Sequence, residues 1–122
     1  MKIKSLAPAS RLNSLRFACK VIFKFFLQEP NALIHLFATL LLMVAVFYFR
    51  ITGVELIALV IVTGLVWVAE AFNTVVERIM DFISPEYHPK VEFIKDLCAG
   101  AVLMAALTAL ITGAIVFIPK LF

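Results

Sequence analysis

Apolar positions along the chain gather into three long runs, preceded by a segment in which basic residues recur every fourth position. Residues 97–118 contain 22 positions without a charge, enough at ~1.5 Å per residue to cross a hydrocarbon core ~30 Å thick. Residues 33–49 are apolar apart from His35 and Thr39 and close on Arg50, and residues 54–72 form another run with Glu55 at one end and Glu70 near the other. The pattern predicts three transmembrane helices, the first two joined as a tight hairpin around residues 51–53.

Ahead of the first run, Arg16, Lys20 and Lys24 share one helical face, while Leu15, Cys19, Ile22, Phe23 and Phe26 cover much of the remainder. Such a helix is expected to lie on a membrane surface. Six basic residues and no acid lie between Lys2 and Lys24, a bias that favours anionic lipid and keeps the N-terminus in the cytoplasm. Counting spans places the 81–96 connection on the same side. Residues 1–10 hold Lys2, Lys4 and Pro8 but no apolar core, so no secretory signal is expected there. The predicted fold is an all-α integral membrane protein: a surface-helix region over 1–29 and a three-helix transmembrane domain over 30–122, acting as one functional unit.

Composition sharpens this picture. The chain of 122 residues is 64% hydrophobic and 16% charged, against about half and a quarter in soluble proteins, and so small a domain cannot hide that much apolar surface from water. This excludes an ordinary soluble enzyme. Cys19 and Cys98 stand in unlike contexts and are expected to be reduced thiols packed as small hydrophobes. Ala101, Ala105, Ala109 and Gly113 form a stripe of small residues on the third run, a surface on which another helix can pack closely.

The chemistry concentrates in Glu70, Asn73, Glu77 and Asp81. Their spacing puts all four within roughly 80° around a helix, in a stripe ~16 Å long that starts inside the apolar zone and ends at the cytoplasmic surface. Carboxylates near hydrocarbon require a compensating partner. An all-oxygen set without clustered cysteine or histidine favours a hard divalent ion such as magnesium, which takes one or two carboxylates and completes its shell with phosphate oxygens and water. Residues 56–69 are uncharged, so a functional role is the default for Glu70; Asp81 would equally make an interfacial ion pair with Arg78. Glu29, before Pro30 and Asn31, stands where the surface helix turns into the first span and is a further ligand candidate. Lys95 sits at the mouth of the third span, either as an interfacial anchor or as a counter-charge for phosphate.

The order Glu70-x2-Asn73-x3-Glu77-x3-Asp81, then Glu86-Tyr87-His88, then Lys95-Asp96 and Ala99-Gly100-Ala101-Val102-Leu103, resembles the prokaryotic diacylglycerol kinase and undecaprenol kinase family from about Ser14 to the C-terminus. The resemblance implies a lipid kinase of the bacterial inner membrane that works as a homotrimer with active sites between subunits. Its substrates would be ATP and a membrane lipid alcohol, either diacylglycerol or undecaprenol, with Mg2+ as cofactor. By the same resemblance Glu70 is the base that accepts the lipid hydroxyl proton, Glu29 and Glu77 are the magnesium ligands, and Asn73 supports the phosphate site. Glu86, Tyr87, His88, Lys95 and Asp96 correspond to nucleotide contacts. In the surface helix only Arg16 is carried over, because Val21 and Phe23 replace a glycine and a basic residue usual in relatives. Glu29-Pro30-Asn31 with His35 is more similar to the undecaprenol-kinase branch.

Two other classes compete. A small proton-coupled transporter or channel subunit would explain Glu70 but leaves the Glu86–His88 and Lys95–Asp96 segments without a purpose. A structural protein would explain only the small-residue stripe. Nucleic acid is not an expected partner.

Overall fold

The computed structural model describes residues 8–122, so the expectations placed on Lys2 and Lys4 lie outside the described residues. Four α-helices follow one another: α1 (Pro8–Gln28), α2 (Pro30–Tyr48), α3 (Gly53–Ile83) and α4 (Pro89–Leu121). The last three are long and apolar enough to cross a membrane, as the three runs predict. The helices reach beyond those runs. With 31 and 33 residues, α3 and α4 measure roughly 46 and 50 Å, more than the hydrocarbon thickness, so their polar ends stand clear of it while still helical.

The two long helices run antiparallel, side by side. At one end Lys120 Nζ lies 3.1 Å from Glu55 Oε2; one turn further in, Leu59 and Val116 are buried in one cluster with Ile51; at the other end Lys95 pairs with Asp81. The ion pairs are partly exposed, so each contributes no more than about 1 kcal/mol and serves to fix register. Buried apolar residues among the described ones are few: Ala32, Ile51, Leu59, Val66, Ala105 and Val116. Phe37, Phe47, Phe72, Leu110 and many others face outward, a surface suited to acyl chains or to further helices rather than to water. Both Cys19 and Cys98 are free thiols.

The turn between α2 and α3 explains how the hairpin closes. Ile51 N–H donates to Val46 O at 3.0 Å and Arg50 N–H to Phe47 O at 3.3 Å, the bonding of a Schellman motif. Ile51 and Val46 also share the apolar cluster beneath it. The motif places Arg50 in the left-handed region at φ 53°, where a side chain costs about 1–2 kcal/mol. Arg50→Gly is therefore expected to raise stability by up to about 1 kcal/mol, the strain relieved less the backbone entropy that glycine adds to the unfolded chain. Thermal unfolding in detergent micelles checks the sign.

The α1–α2 joint is set by Pro30, which occupies the first turn of α2, where its missing N–H is harmless. Glu29 before it is extended, with φ −98° and ψ 118°, as a residue preceding proline must be. Its backbone serves both helices: the N–H donates to Phe25 O and the carbonyl accepts from Leu33 N–H, each at 3.2 Å. Its carboxylate makes no cap hydrogen bond and is left to reach α3.

Candidate active site

The polar stripe on α3 faces inward at its membrane end and emerges at Asp81. Glu70 is 2% exposed and Asn73 3%, and Thr74 is buried beside them. Burying a carboxylate and an amide on an apolar helix is unfavourable unless other elements answer them, and α2 does so. His35 Nε2 lies 3.6 Å from Glu70 Oε2, and the Asn31 side chain comes within reach of the same carboxylate. The charges of Glu77 and Glu29 also act on Glu70, so groups from the α1–α2 joint, from α2 and from the α3 stripe all bear on one buried acid.

Asn73 Nδ2 donates to Glu77 Oε1 at 3.3 Å. A carboxylate only accepts, so this contact fixes which way the amide points. Its Oδ1 is then buried without a partner, an arrangement that calls for a donor or a cation. Glu29 Oε1 accepts from Arg78 NH2 at 2.6 Å, tying the α1–α2 joint to α3 one turn past Asn73.

The remaining predicted residues fall in the α3–α4 connection and the start of α4. The Ser84 hydroxyl donates to Glu86 O at 3.0 Å. His88 caps α4, its Nδ1 accepting from Lys90 N–H at 3.1 Å, with Pro89 in the first turn. The exposed Tyr87 hydroxyl donates to Glu92 Oε2 at 2.6 Å, and that bond raises the phenol above its usual range, so Tyr87 keeps its proton at physiological pH. Lys95 is held against Asp81 at the same end of the bundle. Asp96 follows it in the first turns of α4. Arg16 is exposed on α1, roughly 20 Å along the helix axis from Glu29, and within a single chain it is not brought to the cluster around Glu70.

Two points differ from the sequence reading. Arg78 does not pair with Asp81: it reaches across to Glu29, while Asp81 takes Lys95 from α4. Both acids are thereby matched by cations from another part of the fold, a choice that helical spacing alone does not make. His35, Asn31, Thr39 and Glu92 have no role by spacing alone, and the fold gives each of them a partner near the site. A signal for the α2 residues was present, since Asn31, His35 and Thr39 recur at four-residue spacing and so share a face of an otherwise apolar helix.

The prokaryotic diacylglycerol kinase family matches residues 16–117, which include every element of this site. A diacylglycerol kinase from Synechocystis sp. is 31% identical over 111 residues, 90% of this chain and 63% of that protein. An undecaprenol kinase from Bacillus subtilis is 30% identical over 93 residues, 76% of each chain. The chain thus spans a little under two thirds of the cyanobacterial relative and about three quarters of the other.

Proposed function

We propose that this chain, which belongs to the prokaryotic diacylglycerol kinase family, is a lipid kinase that transfers the terminal phosphoryl group of Mg-ATP to the hydroxyl of a membrane lipid alcohol, diacylglycerol or undecaprenol. The observation that carries this reading is the buried Glu70, set among polar groups at the membrane end of a stripe that continues through Asn73 and Glu77 to the exposed Asp81. A lipid hydroxyl arrives from the bilayer and ATP from the cytosol, so the two must meet on such a stripe.

In this reaction the lipid oxygen attacks the terminal phosphorus, the bond from that phosphorus to the bridging oxygen breaks, and ADP leaves. The hydroxyl proton passes to Glu70. Positioning and charge supply most of the acceleration in phosphoryl transfer, and no glycine-rich phosphate loop is needed. Glu86, Tyr87, His88, Lys95 and Asp96 gather around the α3–α4 connection as nucleotide contacts. Lys95 exchanges Asp81 for phosphate oxygens as ATP binds, and Arg16 contacts substrate from α1.

The donor set fits magnesium. Glu29 and Glu77 carboxylates, with the unpartnered Asn73 Oδ1, are all hard oxygens, and magnesium takes few protein ligands when substrate phosphate completes its shell. The ion would neutralise charge on the transferring phosphoryl group. Glu29 would release Arg78 on binding it.

We further assign the protein to the bacterial inner membrane, with the basic α1 lying on the cytoplasmic surface and the N-terminus on that side. Residues 1–29 and 30–122 act as one unit. The broad outward apolar faces of α2–α4 support a homotrimer whose active sites lie between subunits.

Incubating the purified protein in mixed micelles with labelled ATP and each lipid alcohol in turn tests the activity. Labelled phosphatidic acid or undecaprenyl phosphate is expected, dependent on magnesium. Well-folded protein that labels neither lipid, but conducts protons in vesicles without ATP, would move the function to a proton-coupled transporter.

A further inference from the structure

We infer that His35 is a positioning residue, which holds the Glu70 carboxylate in the orientation that receives the lipid hydroxyl, and that Thr39 and Trp67 hold His35 in turn. The inference rests on the lipid-kinase reading and extends it to residues for which that reading has no use.

Glu70 has a side chain that rotates about three bonds, and its burial alone does not select a rotamer. The group facing its Oε2 is His35 Nε2 at 3.6 Å, with the imidazole 21% exposed. With the proton on Nε2, a small ring rotation closes that spacing to a hydrogen bond. Asn31 comes within reach of the same carboxylate, so the two α2 residues hold it together, and its remaining acceptor capacity is left for substrate.

His35 is itself fixed from two sides. The Thr39 hydroxyl donates to the His35 carbonyl at 2.7 Å, a back-bond to the preceding turn that sets the local curvature of α2. Trp67 Nε1 donates to the same Thr39 oxygen at 3.1 Å, linking α2 to α3 one turn before Glu70. The Trp67 ring meets the His35 ring edge-on, with centroids 6.1 Å apart at 70°, and Phe26 of α1 packs on Trp67 with centroids 4.6 Å apart at 61°. Offset and edge-on ring contacts of this kind fix orientation as well as area. The Trp67–Thr39–His35 chain is therefore anchored in three helices and ends on Glu70. In the hydrocarbon zone a tryptophan N–H needs a partner, but a serine or threonine anywhere within reach would satisfy it; here the partner is the residue that fixes the His35 turn.

The test compares steady-state kinetics of the full chain in mixed micelles for wild type, His35→Ala, His35→Gln, Thr39→Val and the double variant His35→Ala/Thr39→Val, each checked for helical circular dichroism and an unchanged elution volume. His35→Ala is expected to lower kcat on the order of 10- to 100-fold with the KM for ATP unchanged. His35→Gln, whose amide N–H occupies the place of Nε2, should restore kcat to within a few-fold of wild type. Thr39→Val should lower kcat severalfold alone and add nothing to His35→Ala, since it acts through that residue. Unchanged kcat in folded His35→Ala, a loss that appears in KM for ATP, or an equal loss in His35→Gln overturns the positioning role while the kinase reading stands. A wild type that phosphorylates no lipid overturns both. Should His35→Ala not fold, Thr39→Val decides: a lower kcat at constant KM supports the role, and an unchanged kcat overturns it.

Discussion

Glu70→Gln is expected to lower lipid phosphorylation by about 10²–10⁴-fold, the range that a general base supplies, in protein that folds at least as well as wild type. The two halves of this result belong together. Glutamine keeps the shape of a side chain that is 2% exposed, so no cavity opens, and it removes an ionisable group from a membrane helix, where such groups are unfavourable. Its amide still meets His35. What it loses is the ability to take a proton, so the deficit should fall on kcat for either acceptor lipid, with ATP binding at the distant α3–α4 connection unaffected. Parallel measurement of thermal unfolding and of initial rates separates the two effects. A Glu70→Gln protein retaining a tenth or more of wild-type turnover would remove Glu70 from the role of base.

Much of this site could be read before the fold was known, and the reason is geometric. Three apolar runs of bilayer length admit little but helices, since no other open structure satisfies its backbone in lipid. Once residues 70–81 are helical, the spacing of Glu70, Asn73, Glu77 and Asp81 fixes their common face. Helical spacing does not say what stands opposite. That Glu70 faces His35, that Arg78 crosses to Glu29, and that Lys95 takes Asp81 depend on the rotation and depth of α2 and α4 against α3, which the one-chain pattern leaves free. The α1–α2 joint lies between the two cases: Pro30 predicts the break, and only the fold shows that the break leaves the Glu29 carboxylate uncommitted to a cap and turned toward α3.

The α3 stripe gives the second large expectation. Glu77→Gln should reduce activity by more than the ~10–100-fold typical of groups one shell beyond a metal, with part of the loss recovered at high magnesium. The fold has little reason to change, because a glutamine at 77 still offers an Oε1 to the Asn73 Nδ2 that now donates there at 3.3 Å. The deficit then reports a lost charge rather than a lost contact. Glu29→Gln removes the partner of Arg78, 2.6 Å away, as well as a ligand, so its dependence on magnesium should be accompanied by a fall in stability that Glu77→Gln does not show. Magnesium titrations of initial rate, run beside thermal unfolding for both variants, distinguish these patterns. If Glu77→Gln required no more magnesium than wild type for half-maximal rate, the carboxylate would be serving Asn73 rather than a cation, and the magnesium site would have to be sought nearer to Asp81 and Asp96 at the mouth of the bundle.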